Sequence, residues 1–106
     1  MSNHNFDKSA WEKMDMFNQM GNIGSEVGRA LSAKKQNKPA RMQAAFSRGL
    51  NLIDATVDSW SKKKSPRVRE LLIARELFKS SITTEQVDGT LENYFMQFAL
   101  AARLLK

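Results

Sequence analysis

The side chains that could carry out acid–base or metal chemistry are few in this chain, and their spacing does not bring them together. The single histidine, His4, lies in a polar N-terminal stretch, where we expect no partner to hold it as a general base or ligand. Asp54 and Asp58 share one face of a predicted helix, but no histidine accompanies them, and Lys62 follows Asp58 at ion-pair spacing. We therefore predict no catalytic residue, no metal site, no cofactor and no enzymatic activity.

Arg75 is a charged residue in the middle of an apolar helical face. The apolar positions of that face are Val68, Leu71, Leu72 and Phe78. A guanidinium group placed there must find a carboxylate, a carbonyl or water, because burying it unpaired is costly. Two interpretations stay open for Arg75. In the first, Arg75 has a structural role and either forms an ion pair with Glu26 or Glu92 or extends to solvent. In the second, Arg75 lines a crevice and binds an anion.

Length and composition indicate one ordinary globular domain. The chain has 106 residues, of which 42% are hydrophobic and 26% charged. Because cysteine is absent, disulfides and thiolate chemistry are excluded, which fits a cytoplasmic location. The chain has no apolar run of about 18 residues that could span a membrane, and residues 1–5 lack the apolar core of a signal peptide. We expect a disordered tail over residues 1–6 and a helical domain over residues 7–106.

The apolar periodicity along the chain predicts an all-α fold. Helix-forming residues dominate, and short polar connections separate the apolar patterns. Because short connections favour antiparallel neighbours, we predict an up-down bundle of about four helices. The predicted helices run from Asp7 or Ser9 to about Lys35, from Pro39 to about Ser61, from Pro66 with Ser65 as cap to about Lys79, and from Asp88 or Thr90 to the C-terminus.

Three glycines at helical spacing lie inside the first predicted helix, where each costs roughly 1 kcal/mol relative to alanine. Gly21, Gly24 and Gly28 fall within about 60° of one another on a helical wheel. Gly49 lies in the middle of the apolar face of the second helix. We predict that another helix crosses close to this glycine strip and that Gly49 is its contact. The alternative is a break at 21–24, with Asn22 capping a new helix.

The basic residues form two clusters. The chain contains 17 Lys+Arg and 11 Asp+Glu, a net charge of +6, which permits binding to nucleic acid. We expect the cluster over residues 34–41 to be neutralised by Glu85, Asp88 and Glu92. The second cluster has fewer acidic neighbours. The residues that we expect to contact phosphates there are Lys62, Lys63, Lys64, Arg67 and Arg69, with Trp60 as a stacking side chain.

The third and fourth predicted helices carry more apolar surface than an isolated bundle needs. Met96, Leu100 and Leu104 recur every four residues, opposite the main apolar face of the fourth helix. Ile73 and Leu77 form a similar second face on the third helix. We predict that these five residues form one contiguous interface, with a symmetric homodimer as the commonest closed assembly.

The sequence favours a non-enzymatic interaction or adaptor module that binds itself or another protein, with no small-molecule substrate. The alternative interpretation is a small basic nucleic-acid-binding protein that contacts phosphates through the connection over 62–69. The two are distinguished by whether binding to nucleic acid occurs and depends steeply on salt.

Overall fold

The computed structural model describes residues 7–84 and 90–104, and these residues form helices joined by short connections. The helices are α1 (Lys8–Lys13), α2 (Met16–Lys35), α3 (Pro39–Lys62), α4 (Val68–Thr83) and α5 (Thr90–Leu104). The all-α bundle predicted from the sequence is confirmed. His4 and the predicted tail over 1–6 lie outside the described residues, as do Glu85 and Asp88.

Helix α2 is central to the packing. It lies against α3 on one side and α5 on the other, while α4 packs mainly on α3 and touches α5 only lightly. Contacts between α2 and α3 pair Gln19 with Trp60 and Glu26 with Arg48. Because the order of these residues is reversed between the two helices, α2 and α3 run antiparallel. The light contact between α4 and α5 leaves a groove between them.

The first predicted helix is broken, but not at its glycines. Helix α1 ends at Lys13, Met14 is extended, and Asp15 caps α2 by accepting a hydrogen bond from the Asn18 backbone N–H at 2.8 Å. The predictions of one helix to Lys35 and of a break at 21–24 are therefore both wrong, because α2 continues through its glycines. Asp15 is an effective N-cap, and the bend that it permits turns Trp11 into the core.

A buried hydrogen-bond network fixes α1 against α2 and α3. The indole N–H of Trp11 donates to Thr56 Oγ1 at 2.9 Å, and Gln19 Nε2 donates to the Trp11 carbonyl at 2.9 Å. The indole N–H of Trp60 donates to Gln19 Oε1 at 3.1 Å. Since all four side chains are buried, each polar group needs a partner, and the network supplies it.

The remaining helix boundaries follow the sequence patterns closely. Helix α3 begins at Pro39 as predicted and ends one residue beyond Ser61. Helix α4 begins at Val68 instead of Pro66, because the Ser65 hydroxyl accepts from the Arg67 backbone N–H in a turn that precedes the helix. Helix α4 also runs four residues past Lys79, and α5 begins at the later of its two predicted starts. These differences concern helix ends, where side-chain capping competes with helix continuation.

The core lies where α2 meets its neighbours. Phe95 and Phe98 of α5, Leu71 and Phe78 of α4, and Ile53 of α3 all turn inward towards it. The contribution of α2 to the core is Met20, Ile23, Val27 and Ala30. Each of the four long helices thus buries a face, and what remains outside defines the surfaces available to partners.

Candidate interaction surfaces

The outer face of α4 exposes large apolar side chains. Leu72 is 45% exposed, Ile73 54% and Leu77 43%. The sequence had placed Leu72 on the inward face, which is wrong. The inward face of α4 consists of Leu71, Ala74, Phe78 and Ile82. Burial of that four-residue face leaves the three apolar residues on the outer side of the helix exposed.

The exposed face of α4 continues into the groove between α4 and α5. Ile73 and Leu77 line this groove together with Ala74, Leu91 and Tyr94, and its volume is about 200 Å³. Since Ile73 and Leu77 also line the shallow hollow on the outer side of α4, the two apolar regions are continuous. We call Leu72, Ile73, Leu77, Leu91 and Tyr94 the α4 apolar surface.

Two opposite charges border the α4 apolar surface. Arg69 and Glu76 line the same hollow as Leu72 and Ile73, two helical turns from each other. Among the described residues Arg69 makes no ion pair. Glu76 is mostly exposed, and its carboxylate lies 3.4 Å from Arg75 and 3.9 Å from Lys79. A partner that packs on this surface therefore meets the unpaired cation of Arg69 at one end, and at the other end the Glu76 carboxylate, which two cations of α4 already share.

Tyr94 and Glu70 lie at the groove edge. The Tyr94 hydroxyl donates to Glu70 Oε1 at 3.4 Å. Burial of the phenol, with a smaller effect from the Glu70 carboxylate, raises the pKa of Tyr94 to about 12. The hydroxyl thus stays protonated well above neutral pH and serves as a hydrogen-bond donor at this edge.

The structure divides the interface that the sequence predicted as one patch. Met96 lines a different groove, between α2 and α5, together with Gly21 and Gly24. Residues two apart on a helix point to nearly opposite sides, so Met96 faces away from the groove that Tyr94 lines. Leu100 is exposed, and the side chain of Leu104 lies outside the described part of the chain. Met96 is therefore separated from Ile73 and Leu77, and the part of the prediction that concerns Leu104 lies outside the described residues.

Arg75 is held by carboxylates. Its Nε lies 2.7 Å from Asp54 Oδ1, and Nη1 lies 3.4 Å from Glu76 Oε2. The hydrogen bond that Arg75 donates to the Asp54 carboxylate is the main reason that the pKa of Arg75 is raised. The predicted partners Glu26 and Glu92 are wrong. Since two acids already surround the guanidinium, its surroundings do not favour a further anion.

The connection after α3 is less available to phosphates than the sequence suggested. Trp60 is only 5% exposed and donates its N–H to Gln19, so the predicted stacking role is wrong. Lys62 pairs with Asp58 at 3.4 Å, and Arg67 pairs with Glu70 at 3.6 Å. The residues of this cluster without an ion-pair partner among the described residues are Lys63, Lys64 and Arg69.

Two of the four glycines, Gly24 and Gly49, lie at close approaches to aromatic side chains of other helices. A methyl group at Gly24 would lie 2.6 Å from Phe95 Cβ. At Gly49 it would lie 2.8 Å from the Phe78 ring and 3.5 Å from Glu26 Cβ. The predicted contact of Gly49 with the glycine strip is therefore replaced by contact with Phe78. At Gly28 a methyl group would meet nothing within 4 Å, and Gly21 lines the groove between α2 and α5.

Comparisons of the chain with protein-family models, curated proteins and solved structures found no match. Within residues 7–84 and 90–104, no group of three or more histidine, cysteine, aspartate or glutamate side chains is arranged to hold a metal ion. No helix in these ranges is long and apolar enough to cross a membrane.

Proposed function

We propose that the chain is a non-enzymatic interaction module that self-associates as a symmetric dimer through α4. The observation that carries this proposal is the continuous apolar surface of Leu72, Ile73 and Leu77, which extends into the groove beside Tyr94. Burying each large aliphatic side chain contributes roughly 1.5–3 kcal/mol. Two copies of the surface therefore supply a driving force that offsets part of the entropy cost of association.

The charges at the border favour a second copy of this chain as the partner. In a two-fold dimer, each residue of one α4 meets a residue of the other at an equal distance from the axis. The midpoint between Arg69 and Glu76 falls between Leu72 and Ile73. An axis there pairs two antiparallel α4 helices, with Leu72 against Ile73 of the second copy and Arg69 against Glu76 of the second copy. On this axis apolar residues of one copy meet apolar residues of the other, and each Arg69 meets the mostly exposed carboxylate of a Glu76.

Matched substitutions at Ile73 and Met96 test the proposal. Ile73→Glu introduces a charge at the centre of the proposed interface and should give a folded monomer. Met96 is 53% exposed, close to the 54% of Ile73, and lies on the other side of α5. Met96→Glu should therefore leave the dimer intact. Both variants should keep the helical circular dichroism of the parent, because neither side chain belongs to the core.

Sedimentation equilibrium over a range of protein concentrations gives the dissociation constant of each form. A parent that stays monomeric at high micromolar concentration contradicts the proposal. A dimer that Met96→Glu disrupts and Ile73→Glu does not would move the interface to the groove between α2 and α5. A dimer that survives both substitutions would place it on neither surface.

A further inference from the structure

Another groove, between the end of α2 and the beginning of α3, is lined by cationic side chains. Its volume is about 540 Å³. The basic residues that line it are Arg29, Lys38, Arg41 and Arg48. It lies on a different pair of helices from the α4 apolar surface, so what it binds does not depend on the proposed dimer.

Small side chains create the space in this groove. Gly28, Ser32 and Ala33 line it from α2, while Ala44 and Ala45 line it from α3. Gly28 and Ser32 are four residues apart and therefore share a face of α2, while Ala44 and Ala45 are neighbours on α3. Because small residues lie between the long cationic side chains of the two helices, the space between the helices stays open. A rod-like ligand can approach the backbone there, between flanking cations.

The charge of the groove is only partly neutralised. Glu26 accepts from Arg48 at 3.1 Å and lies 3.3 Å from Arg29, so one carboxylate serves two guanidinium groups. Lys38 and Arg41 are exposed and make no ion pair within the described residues. Lys34, at the same end of α2, is occupied because its ammonium group donates to the carbonyls of Ser81 and Thr84. The groove therefore keeps a net positive charge.

The lining indicates the class of ligand. Among the described residues, no aromatic side chain lines the groove, so the base stacking that holds single-stranded nucleic acid is missing there. Large apolar or aromatic anchors, which dominate the energetics of protein partners, are missing from its lining as well. The lining thus consists mainly of guanidinium and ammonium groups beside small side chains. This arrangement suits a regular ridge of phosphates, which a nucleic-acid duplex presents.

We propose that the groove between α2 and α3 binds the phosphate backbone of double-stranded nucleic acid. Arg29 and Arg48, oriented by Glu26, form one part of the contact, and Lys38 and Arg41 form the other. Recognition is independent of base sequence, because contacts to phosphates carry no sequence information. The proposal moves the phosphate contact away from the connection over 62–69 that the sequence favoured.

Two double charge reversals with the same change in net charge test this site. Lys38→Glu with Arg41→Glu removes the unpaired cations of the groove. The matched control, Lys63→Glu with Lys64→Glu, changes exposed lysines of the other connection. Fluorescence anisotropy with a labelled DNA duplex of about two helical turns, at several salt concentrations, gives the dissociation constant and its salt dependence for each protein. Circular dichroism verifies that each variant is folded, and Lys38→Gln with Arg41→Gln repeats the test if the reversal does not fold.

The groove variant should bind the duplex roughly tenfold or more weakly than the parent, with a salt slope lower by about 2. The control should stay within about threefold of the parent. Equal losses in the two variants would mean that net charge alone acts, and no binding of the parent at low salt would overturn the proposal. Tighter binding of single-stranded DNA than of the duplex would also overturn the proposal, because it would require stacking of bases. Binding of poly-glutamate as tight as that of the duplex would overturn it as well, because poly-glutamate carries carboxylates and no phosphates.

Discussion

Gly24 of α2 lies so close to Phe95 of α5 that a methyl group at position 24 would be 2.6 Å from the Phe95 Cβ. The atom in the way is next to the backbone of α5, so it cannot move as the far end of a flexible side chain can. This explains why α2 tolerates a residue of poor helix propensity at this position. The glycine permits the close packing of α2 on α5.

Gly24→Ala should lower the free energy of unfolding by about 1–2 kcal/mol, because the cost of overpacking exceeds the gain in helix propensity. Gly28→Ala is the matched control, since a methyl group there meets nothing within 4 Å. It should raise the free energy of unfolding by up to about 1 kcal/mol. Urea denaturation measures both. Equal effects of the two substitutions would show that α5 does not cross α2 at Gly24.

Gln19→Leu should destabilise the protein because it leaves the buried Trp60 indole N–H unpaired and removes one of the two hydrogen bonds to the Trp11 carbonyl, which keeps the one from the Met14 N–H. The unpaired indole N–H costs about 1–3 kcal/mol. The same substitution at Gln43, which is exposed on α3, should change stability by less than about 0.5 kcal/mol. Thermal denaturation followed by tryptophan fluorescence measures both effects. If Gln19→Leu is as mild as Gln43→Leu, the network does not hold α1 in place.

Tyr94 is the single tyrosine of the chain, so the ultraviolet absorbance of tyrosinate reports its ionisation alone. We expect a midpoint near pH 12, shifted from the usual 10.0 by burial and by Glu70. Glu70→Gln should lower this midpoint. Because the pKa is raised in the folded state, the stability that the protonated hydroxyl contributes is complete below pH 10 and is lost as the pH rises towards 12. A midpoint at the ordinary value in the folded protein would show that Tyr94 is fully exposed.

Much of the fold could be predicted from the sequence because apolar periodicity specifies helices and their buried faces. The α3 pattern gave both ends of that helix to within one residue. The break at Met14–Asp15 was missed because it depends on a cap and on the burial of Trp11, which become favourable only when α3 is in place. In the sequence, Trp11 does not fall on the apolar face that continues along the first predicted helix, and this is the signal that indicates a change of helix direction.

The candidate surfaces were harder to predict, because they depend on which helices meet. Periodicity identified Ile73 and Leu77 as surplus apolar residues, but assigned Leu72 to the core. It could not show that Met96 faces a different groove, or that Arg75 reaches Asp54. The basic groove between α2 and α3 arises from two segments separated by a turn. A run without acids between Glu26 and Asp54 was its sequence signal.

Exchange of the two charges that border the α4 apolar surface tests the symmetric dimer most directly. In the proposed dimer, residue 69 of each copy faces residue 76 of the other. Either single substitution, Arg69→Glu or Glu76→Arg, therefore places like charges opposite each other at both of these contacts, and the dissociation constant of the dimer should rise roughly tenfold or more. Made together, they restore opposite pairs and should return the dissociation constant to within about threefold of the parent. Sedimentation equilibrium of the four proteins is the measurement. Recovery in the double variant is the result that we predict, and a double variant as weak as the single ones would contradict the antiparallel pairing of α4.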